Sequence, residues 1–285
     1  MTSPVQTATI DPALQGDLDW LELDVYSSGD AATLTLAQKH VTPYGRLYGG
    51  MGSSVMSAMI EAVTGRPLLW CTTQFVGPSF EGDRLTIRAQ VGARGSRASQ
   101  VTVIAEREGI PVLIAVGAAG RPDPAAPAGT ILAAPDVPSP LECERLHLDV
   151  GTRSRGFFGL VEQRRIDDPR YPNASRRWWM RLDDRSLTRS SLLGLAGDCV
   201  APMVTRAVGE LGAGTSLDNT IRVGAPSDSE WILVDGDPEF AMGGFGHGTV
   251  RLWDHRGILV GIASQTASLW RTHPMQDAVA AKAGN

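Results

Sequence analysis

Cysteine is scarce in this chain, and its histidines are isolated from one another. Only three cysteines occur among 285 residues, Cys71, Cys143 and Cys199, far apart and odd in number. This pattern excludes a disulfide framework and a CxxC zinc site, and it is typical of a reducing compartment, which we expect to be the cytoplasm. None of the five histidines has metal-ligand spacing to another histidine or cysteine. We therefore expect no metal and no other cofactor.

Several motifs and composition signals of common protein classes are also missing. There is no GxxxxGK[ST] phosphate loop and no GxSxG nucleophile elbow, and the glycines of Gly243–Gly246 are typical of a turn or bulge. With 26 basic and 31 acidic side chains the net charge is −5, so the chain lacks the basic surface of a nucleic-acid-binding protein. No apolar run reaches about 18 residues, so we expect no membrane span. The N-terminus lacks the basic start and apolar core of a signal peptide.

A proline- and alanine-rich segment divides the chain into two parts of similar size. Six prolines fall between Arg121 and Pro140, which indicates an extended linker. Apolar residues make up 42% of the chain, enough for a packed core on each side. We expect an N-terminal domain over 1–120, a linker over 121–150 and a C-terminal domain over 151–285.

The two parts share a short internal similarity. Gly109–Ala115 aligns without gaps on Gly257–Ala263 at an offset of 148 residues, and the same offset places Gly95 on Gly243. Repeats of solenoids have about 20 to 50 residues, so this spacing favours two tandem copies of one domain.

Each copy combines one helix with several strands. Alternating apolar residues from Leu85 to Val116 predict strands, with Glu108-Gly109 and Arg256-Gly257 at hairpin turns. Helical spacing is present between Leu192 and Met203. The order of two strands, one long helix and four strands is an α+β pattern, with the helix packed on one face of an antiparallel sheet.

These features occur together with an ordered set of short motifs. The motifs are Tyr48-Gly49-Gly50, Gln74-Phe75-Val76-Gly77-Pro78, Gly95-Ser96-Arg97, Gly109-Ile110-Pro111-Val112, Leu195-Ala196-Gly197-Asp198, Ser216-Leu217-Asp218-Asn219, Ser264-Gln265-Thr266 and Arg271. With these motifs in this order, the chain resembles the acyl-CoA thioesterase II family over residues from about 20 to 271. The resemblance implies a double hotdog fold, in which each of two tandem copies has a long helix wrapped by an antiparallel sheet. It also implies a thioester hydrolase of lipid metabolism that acts on acyl-CoA and forms homo-oligomers.

Asp198 is the only charged residue between Leu192 and Val204. A carboxylate in apolar surroundings has a raised pKa or needs partners, which favours a functional role. The alternative is a narrow solvated stripe shared with Ser191 and Gly194. Pro202 cannot donate to the Asp198 carbonyl, so we expect the helix to be distorted there. The resemblance places the family's catalytic Asp at Asp198.

Two further polar residues coincide with family positions. Ser216 stands where the family usually has Thr, and it keeps the hydroxyl. Gln265 lies in an apolar strand, while its repeat partner is Gly117, so the amide is present in one copy only. The plainer interpretations are a strand-end serine and a surface glutamine. Asp218 matches a family Asp, but Asn219 stands where the family often has His.

Together these residues suggest hydrolysis without a covalent intermediate. Asp198 would be the general base for a water held by Ser216 and Gln265. Backbone N–H groups at a helix start, with Tyr48-Gly49-Gly50 as the candidates, would stabilise the oxyanion or bind substrate. Ordinary helix–loop geometry explains the two glycines equally well.

Two other charged features are open to more than one interpretation. Glu61 could mark a second site, but we expect a solvated residue near the helix end. Mixed charge favours a solvated surface for the arginine-rich region, with contact to the phosphates of coenzyme A as the alternative. We expect Trp178-Trp179 in that region to be strand residues, one facing the core. The charged residues are Arg164, Arg165, Asp167, Asp168, Arg170, Arg176, Arg177, Arg181, Asp183 and Asp184.

Two rival functions remain open on the same fold. A hotdog hydratase or dehydratase would need Asn-Pro-x-His after Tyr26–Asp30, but Ala31-Ala32-Thr33-Leu34 follows. A non-catalytic acyl-CoA or lipid-binding protein is the other alternative. Acyl chain length, pathway and the half that supplies the oxyanion donors are not encoded in any motif.

Overall fold

The computed structural model describes residues 11–146, 155–166, 176–208 and 212–271. The strands of these residues form one antiparallel sheet, and the main core lies between this sheet and the helices. No helix among the described residues is long and apolar enough to cross a membrane.

The first half has the predicted order of two strands, one long helix and four strands. It also contains a helix that the pattern did not predict, α1, which begins after Asp11. The Asp11 carboxylate accepts from the Ala13 backbone N–H at 2.7 Å, and a proline occupies the first helical position. Both are known helix-start signals, so α1 could have been predicted. The elements are α1 Pro12–Trp20, β1 Asp24–Val25, β2 Ala31–Thr35, α2 Gly49–Thr64, β3 Leu68–Phe75, β4 Arg84–Arg94, β5 Ala98–Arg107 and β6 Ile110–Gly120.

The second half repeats this plan with one additional strand before the helix and with two interruptions. Its helix is broken at Asp198 and Cys199, where φ/ψ are −96°/77° and −145°/7°. This confirms the distortion expected from Pro202. The strand after the helix is likewise divided at Leu217. The elements are β7 Glu144–Arg145, β8 Val161–Arg165, β9 Arg177–Leu182, α3 Leu193–Gly197, α4 Val200–Ala207, β10 Gly212–Ser216, β11 Asp218–Val223, β12 Ile232–Met242, β13 Phe245–Asp254 and β14 Leu259–Arg271.

The two halves join through the antiparallel pair β3 and β11. Thr72 lies opposite Thr220, and their hydroxyl oxygens are 3.0 Å apart. These two residues differ by 148 in number, the offset of the sequence repeat. Each residue thus faces its own repeat partner, which gives the junction local two-fold symmetry. The sheet order is β1-β2-β4-β5-β6-β3-β11-β14-β13-β12-β9-β8-β7, with β10 paired to β14.

The predicted hairpin turns contain residues with positive φ, which glycine adopts readily and glutamate rarely. Glu108 and Gly109 have φ of 53° and 80° between β5 and β6, and Gly257 has φ of 79° between β13 and β14. Gly243 and Gly244 also have positive φ and connect β12 to β13, so this glycine cluster is a hairpin turn.

The end of the proline-rich segment packs on the second half, while residues 121–133 are exposed. Its Pro138 carbonyl accepts from the Trp179 indole at 2.9 Å, in a second apolar cluster with Trp231 and Trp253. Trp178, on the opposite face of β9, packs against the main core. Both tryptophans are strand residues, as expected. The division into 1–120, 121–150 and 151–285 remains our proposal, and β7 within the second range pairs with β8.

Candidate active site

Asp198 lies in the gap between α3 and α4, beside the first turn of α2 from the other half. One carboxylate oxygen, Oδ2, accepts from the Gly50 backbone N–H at 2.7 Å. The other, Oδ1, accepts from the Ser216 hydroxyl at 2.9 Å and from the Gln265 amide. The three residues predicted to act together are therefore in direct contact, although 67 positions separate Asp198 from Gln265. Asp198 itself stays partly exposed, which leaves it accessible.

The solvated-stripe alternative for Asp198 is wrong. Ser191 is fully buried, with its hydroxyl bonded to Asp17 at 2.7 Å, and Gly194 packs against α2. Burial raises the pKa of the Asp198 carboxyl above its ordinary value, while the hydrogen bonds from Gln265, Ser216 and Gly50 oppose this change. The net result is a more basic carboxylate, which suits general-base chemistry near neutral pH.

Gln265 is oriented by its contacts on both sides of the amide. Its Oε1 accepts from the Val200 N–H at 3.1 Å, at the start of α4. Its Nε2 is thereby directed at Asp198 and at the Ser216 oxygen, 3.0 Å away. Gln265 has no exposed surface, so the surface-residue interpretation is wrong. Asp218 supports this arrangement by accepting from the Thr266 N–H at 2.8 Å.

Tyr48 holds the backbone of the helix gap. Its hydroxyl donates to the carbonyls of Leu195 at 2.9 Å and Asp198 at 3.1 Å. Pro202 has no backbone N–H to donate to the Asp198 carbonyl, so the Tyr48 hydroxyl replaces the missing donor. Its ring stacks on Phe157 at a centroid distance of 4.8 Å. The structure therefore gives the Tyr48 hydroxyl a positioning contact instead of a free donor for substrate.

Gly49 and Gly50 let α2 approach Asp198 closely. A Cβ atom at Gly49 would lie 2.5 Å from Asp198 Oδ2 and 3.2 Å from the Phe75 ring. The Gly50 N–H already donates to Asp198. The Gly49 N–H precedes the first intrahelical bond, which Gly52 donates to Tyr48, so the helix does not use it. Of the three oxyanion candidates, Gly49 is the one with an N–H group directed out of the helix start.

Glu61 is not a solvated residue, contrary to our expectation. Only 5% of it is exposed, and it accepts from the Ser190 hydroxyl at 2.5 Å and the Leu68 N–H at 2.7 Å. Burial raises the pKa of the Glu61 carboxyl. The repeat partner of Gln265, Gly117, has no room for a side chain, since a Cβ there would lie 2.5 Å from the Trp70 carbonyl. The first half therefore has no counterpart of the Gln265 amide.

The arginine-rich region forms ion pairs at the far edge of the sheet. Glu162 binds Arg164 and Arg181, each at 2.8 Å, and Arg177 binds Asp235 at 2.6 Å. Arg181 also lies over the Trp231 ring, 4.8 Å from its centroid. These contacts account for the arginines as part of a mixed-charge surface. Asp167, Asp168 and Arg170 lie outside the described residues.

Comparison with known proteins identifies the class of this chain. Residues 140–269 match the family model of the acyl-CoA thioesterase C-terminal domain. No curated protein sequence matches the chain. Among solved structures, a protein from Novosphingobium aromaticivorans proposed to be a thioesterase shares 25% identity with a TM-score of 0.76, covering 90% of this chain and 98% of its own.

Two further structures resemble the chain in fold. A protein from Thermobifida fusca proposed to be a thioesterase II is 19% identical, with a TM-score of 0.76, and the alignment covers 92% of this chain and 100% of that one. A hot dog fold protein of unknown function from Alicyclobacillus acidocaldarius is 17% identical, with a TM-score of 0.75 and coverages of 91% and 98%.

These similarities and the two helix-on-sheet halves define an α+β protein with the double hotdog fold, which confirms the predicted fold class. Residues 140–269 form an acyl-CoA thioesterase C-terminal domain, and the chain is a thioester hydrolase.

Proposed function

We propose that this protein hydrolyses acyl-CoA thioesters to a free acid and coenzyme A, with Asp198 as the general base. The observation that carries this proposal is the convergence of Gly50, Ser216 and Gln265 on the carboxylate of Asp198, whose pKa is raised by burial although the residue as a whole is partly exposed. Burying a carboxylate is costly, which favours a functional role over a purely structural one.

The first step is attack by water. A water molecule held by Asp198 and the Ser216 hydroxyl gives its proton to the carboxylate as its oxygen bonds to the thioester carbonyl carbon. The carbonyl oxygen becomes an oxyanion, and the Gly49 N–H, which the helix does not use, is the proposed donor to it. Gln265 holds the side chains of Ser216 and Asp198 in position during this step, since its amide donates a hydrogen bond to each.

The second step is expulsion of the thiol. The tetrahedral intermediate collapses, the carbon–sulfur bond breaks, and the proton on Asp198 passes to the departing sulfur. One thioester and one water thus give one carboxylic acid and one thiol, and Asp198 returns to its ionised form. No residue forms a covalent bond to the acyl group in this sequence of steps.

Replacing the base is the direct test. Asp198→Asn keeps the shape and one acceptor oxygen but cannot take up the proton, so we expect thiol release from acyl-CoA to fall by at least about 100-fold. Hydrolysis would be followed by trapping the free thiol across short, long, linear and aromatic acyl-CoA substrates. A folded variant that retains more than about a tenth of the wild-type rate would contradict the assignment.

Asp183→Asn is a matched control. Its carboxylate is exposed and lies 3.8 Å from Arg181, away from the helix gap. It should retain the wild-type rate. If the wild-type protein releases no thiol from any substrate yet binds acyl-CoA tightly, the lipid-binding alternative would hold instead.

A further inference from the structure

The interior next to Asp198 contains polar side chains that have no role in the proposed hydrolysis. Asn219 has no exposed surface, and neither atom of its amide has a hydrogen-bond partner. The hydroxyls of Ser53 and Ser54 are buried and unpartnered in the same way. Leaving such groups unsatisfied costs about 1–3 kcal/mol each, so their presence in a core calls for a function.

These side chains lie on the neighbouring elements α2, β3 and β11, and we call them and their polar neighbours the polar interior cluster. Asn219 lies directly opposite Thr73 across the junction of β11 and β3. The Thr73 hydroxyl is 3.6 Å from the Cys71 sulfur, which in turn faces Ser57. The cluster consists of Ser53, Ser54, Ser57, Thr73 and Asn219.

The cluster faces the layer between the helices and the sheet. Asn219 and Ile221 lie on the same face of β11, because side chains two apart in a strand point the same way. Ile221 points at the helices, since a Cβ at Gly197 would lie 2.9 Å from its side chain. Ser53 and Ser54 contact Gly194 of α3, one turn before Asp198. Asn219 therefore points into the same layer as the serines.

Two elements, α2 and β3, connect the polar interior cluster with the surroundings of the proposed catalytic carboxylate of Asp198. On α2, Ser53 is one turn beyond Gly49, which contacts Asp198. On β3, Thr73 is two residues from Phe75, whose ring contacts the same point at Gly49. Phe75 is partly exposed, so it forms the outer end of this path. An acyl chain that extends inward from the thioester at Asp198 past Phe75 would next meet Thr73 and Asn219.

We propose that the polar interior cluster binds a hydroxyl or oxo substituent on the acyl chain, so that the protein selects polar acyl thioesters. This inference rests on the proposed function for its substrate class. Asn219 can both donate to and accept from such a substituent, and a serine hydroxyl can complete the bonding. A site built to hydrogen-bond a substrate hydroxyl discriminates strongly against the analogue that lacks it.

Equilibrium binding tests this proposal independently of turnover. In the Asp198→Asn protein, calorimetry would compare unsubstituted acyl-CoA with 3-hydroxyacyl-CoA and 5-hydroxyacyl-CoA of the same chain length. We expect at least one hydroxylated ligand to bind about tenfold or more tightly than the unsubstituted one. Adding Asn219→Leu, which keeps the volume and removes the amide, should abolish that preference. Equal affinities, or equal losses for all ligands, would overturn the proposal.

Two further variants separate recognition from packing. Ser53→Ala removes one hydroxyl without adding volume and should also reduce the preference, which keeps the test valid if Asn219→Leu does not fold. Ser99→Ala removes another buried, unpartnered hydroxyl, on β5 and outside the cluster, and should leave the preference unchanged. Wild-type hydrolysis that depends on Asp198 but ignores the hydroxyl would refute this proposal alone. Preferential binding without any hydrolysis would refute only the proposed function.

Discussion

At the scale of single residues, the environment of Asp198 determines its basicity. Burial is the largest influence and raises the pKa of its carboxyl, and hydrogen bonds from Gln265, Ser216 and Gly50 lower it again. The donors stabilise the ionised form, which is the form that accepts a proton from water. The same contacts that position the base therefore also moderate its pKa.

The pH dependence of Ser216→Ala follows from this balance. Only ionised Asp198 can act as the base, so the rate must fall as the pH drops through the pKa of its carboxyl. Without the Ser216 hydroxyl that pKa rises further, so the acid limb of the kcat/KM profile should move to higher pH, and the maximal rate should drop by about tenfold. Steady-state rates across the pH range would measure both effects.

Ser264→Ala is the control for this profile. Ser264 lies next to Gln265 on β14, but its hydroxyl faces His247 at 3.4 Å instead of Asp198. Its acid limb should match that of the wild type. A Ser216→Ala limb that stays in place, or moves to lower pH, would show that this hydroxyl does not stabilise ionised Asp198.

The sequence predicted the environment of some of these residues but not of others. Asp198 was distinguishable because it is an isolated charge in an apolar segment, and Pro202 pointed to the helix break beside it. The contact between Gly50 and Asp198 was not predictable, because 148 residues separate the two and no local pattern encodes it. Glu61 was predicted to be solvated from its position near the helix end, but its partner Ser190 comes from the other half of the chain, which no local pattern indicates.

At the scale of elements, the first turn of α2 and the gap between α3 and α4 form one unit. The turn supplies the Gly50 N–H, and its glycines permit contact with Asp198. Strand periodicity and hairpin turns were readable from local sequence. The broken helix shows the limit of that reading, since Pro202 indicated a distortion but not two separate helices.

Adding one methyl group at Gly49 tests this unit. In Gly49→Ala the new carbon would lie 2.5 Å from Asp198 Oδ2, so the carboxylate must shift away from its donors. Misplacement of a reacting group by about 1 Å costs about 100-fold in rate, and we expect a loss of this size in kcat/KM. Alanine is compatible with the helix, so the circular dichroism spectrum should stay unchanged.

Gly52→Ala provides the comparison within the same turn. The nearest atom to its new Cβ is Leu113 Cδ1 at 3.2 Å, the end of a flexible side chain that can move. We expect its kcat/KM to stay within about threefold of wild type. If the two alanine variants prove equally active, close contact between Gly49 and Asp198 is not needed for the reaction.

At the scale of the whole molecule, the candidate site is formed by residues from both of the two similar halves. The junction retains the symmetry of the repeat, with Thr72 opposite Thr220. The site does not, because Gln265 corresponds to Gly117, where the packing leaves no room for an amide. One half supplies Asp198, Ser216 and Gln265, while the other supplies the first turn of α2. The sequence repeat predicted two tandem copies of one domain, and the family resemblance implied the double hotdog fold. The asymmetry of the candidate site depends on packing between the halves.

Substitution of the buried Glu61 tests whether the protein has a second catalytic site in its first half. Its pKa is raised by burial, so the folded protein binds its proton more tightly than the unfolded chain does. The free energy of unfolding should therefore decrease as the pH rises from the ordinary to the raised pKa of Glu61. Glu61→Gln removes this dependence and keeps an oxygen that can accept from Ser190 or Leu68. Urea unfolding at several pH values should show that the free energy of unfolding of the variant increases relative to that of the wild type as the pH rises. The kcat/KM of the variant should stay within about twofold of the wild-type value. A loss of activity comparable to that of Asp198→Asn would instead identify Glu61 as part of a second catalytic site.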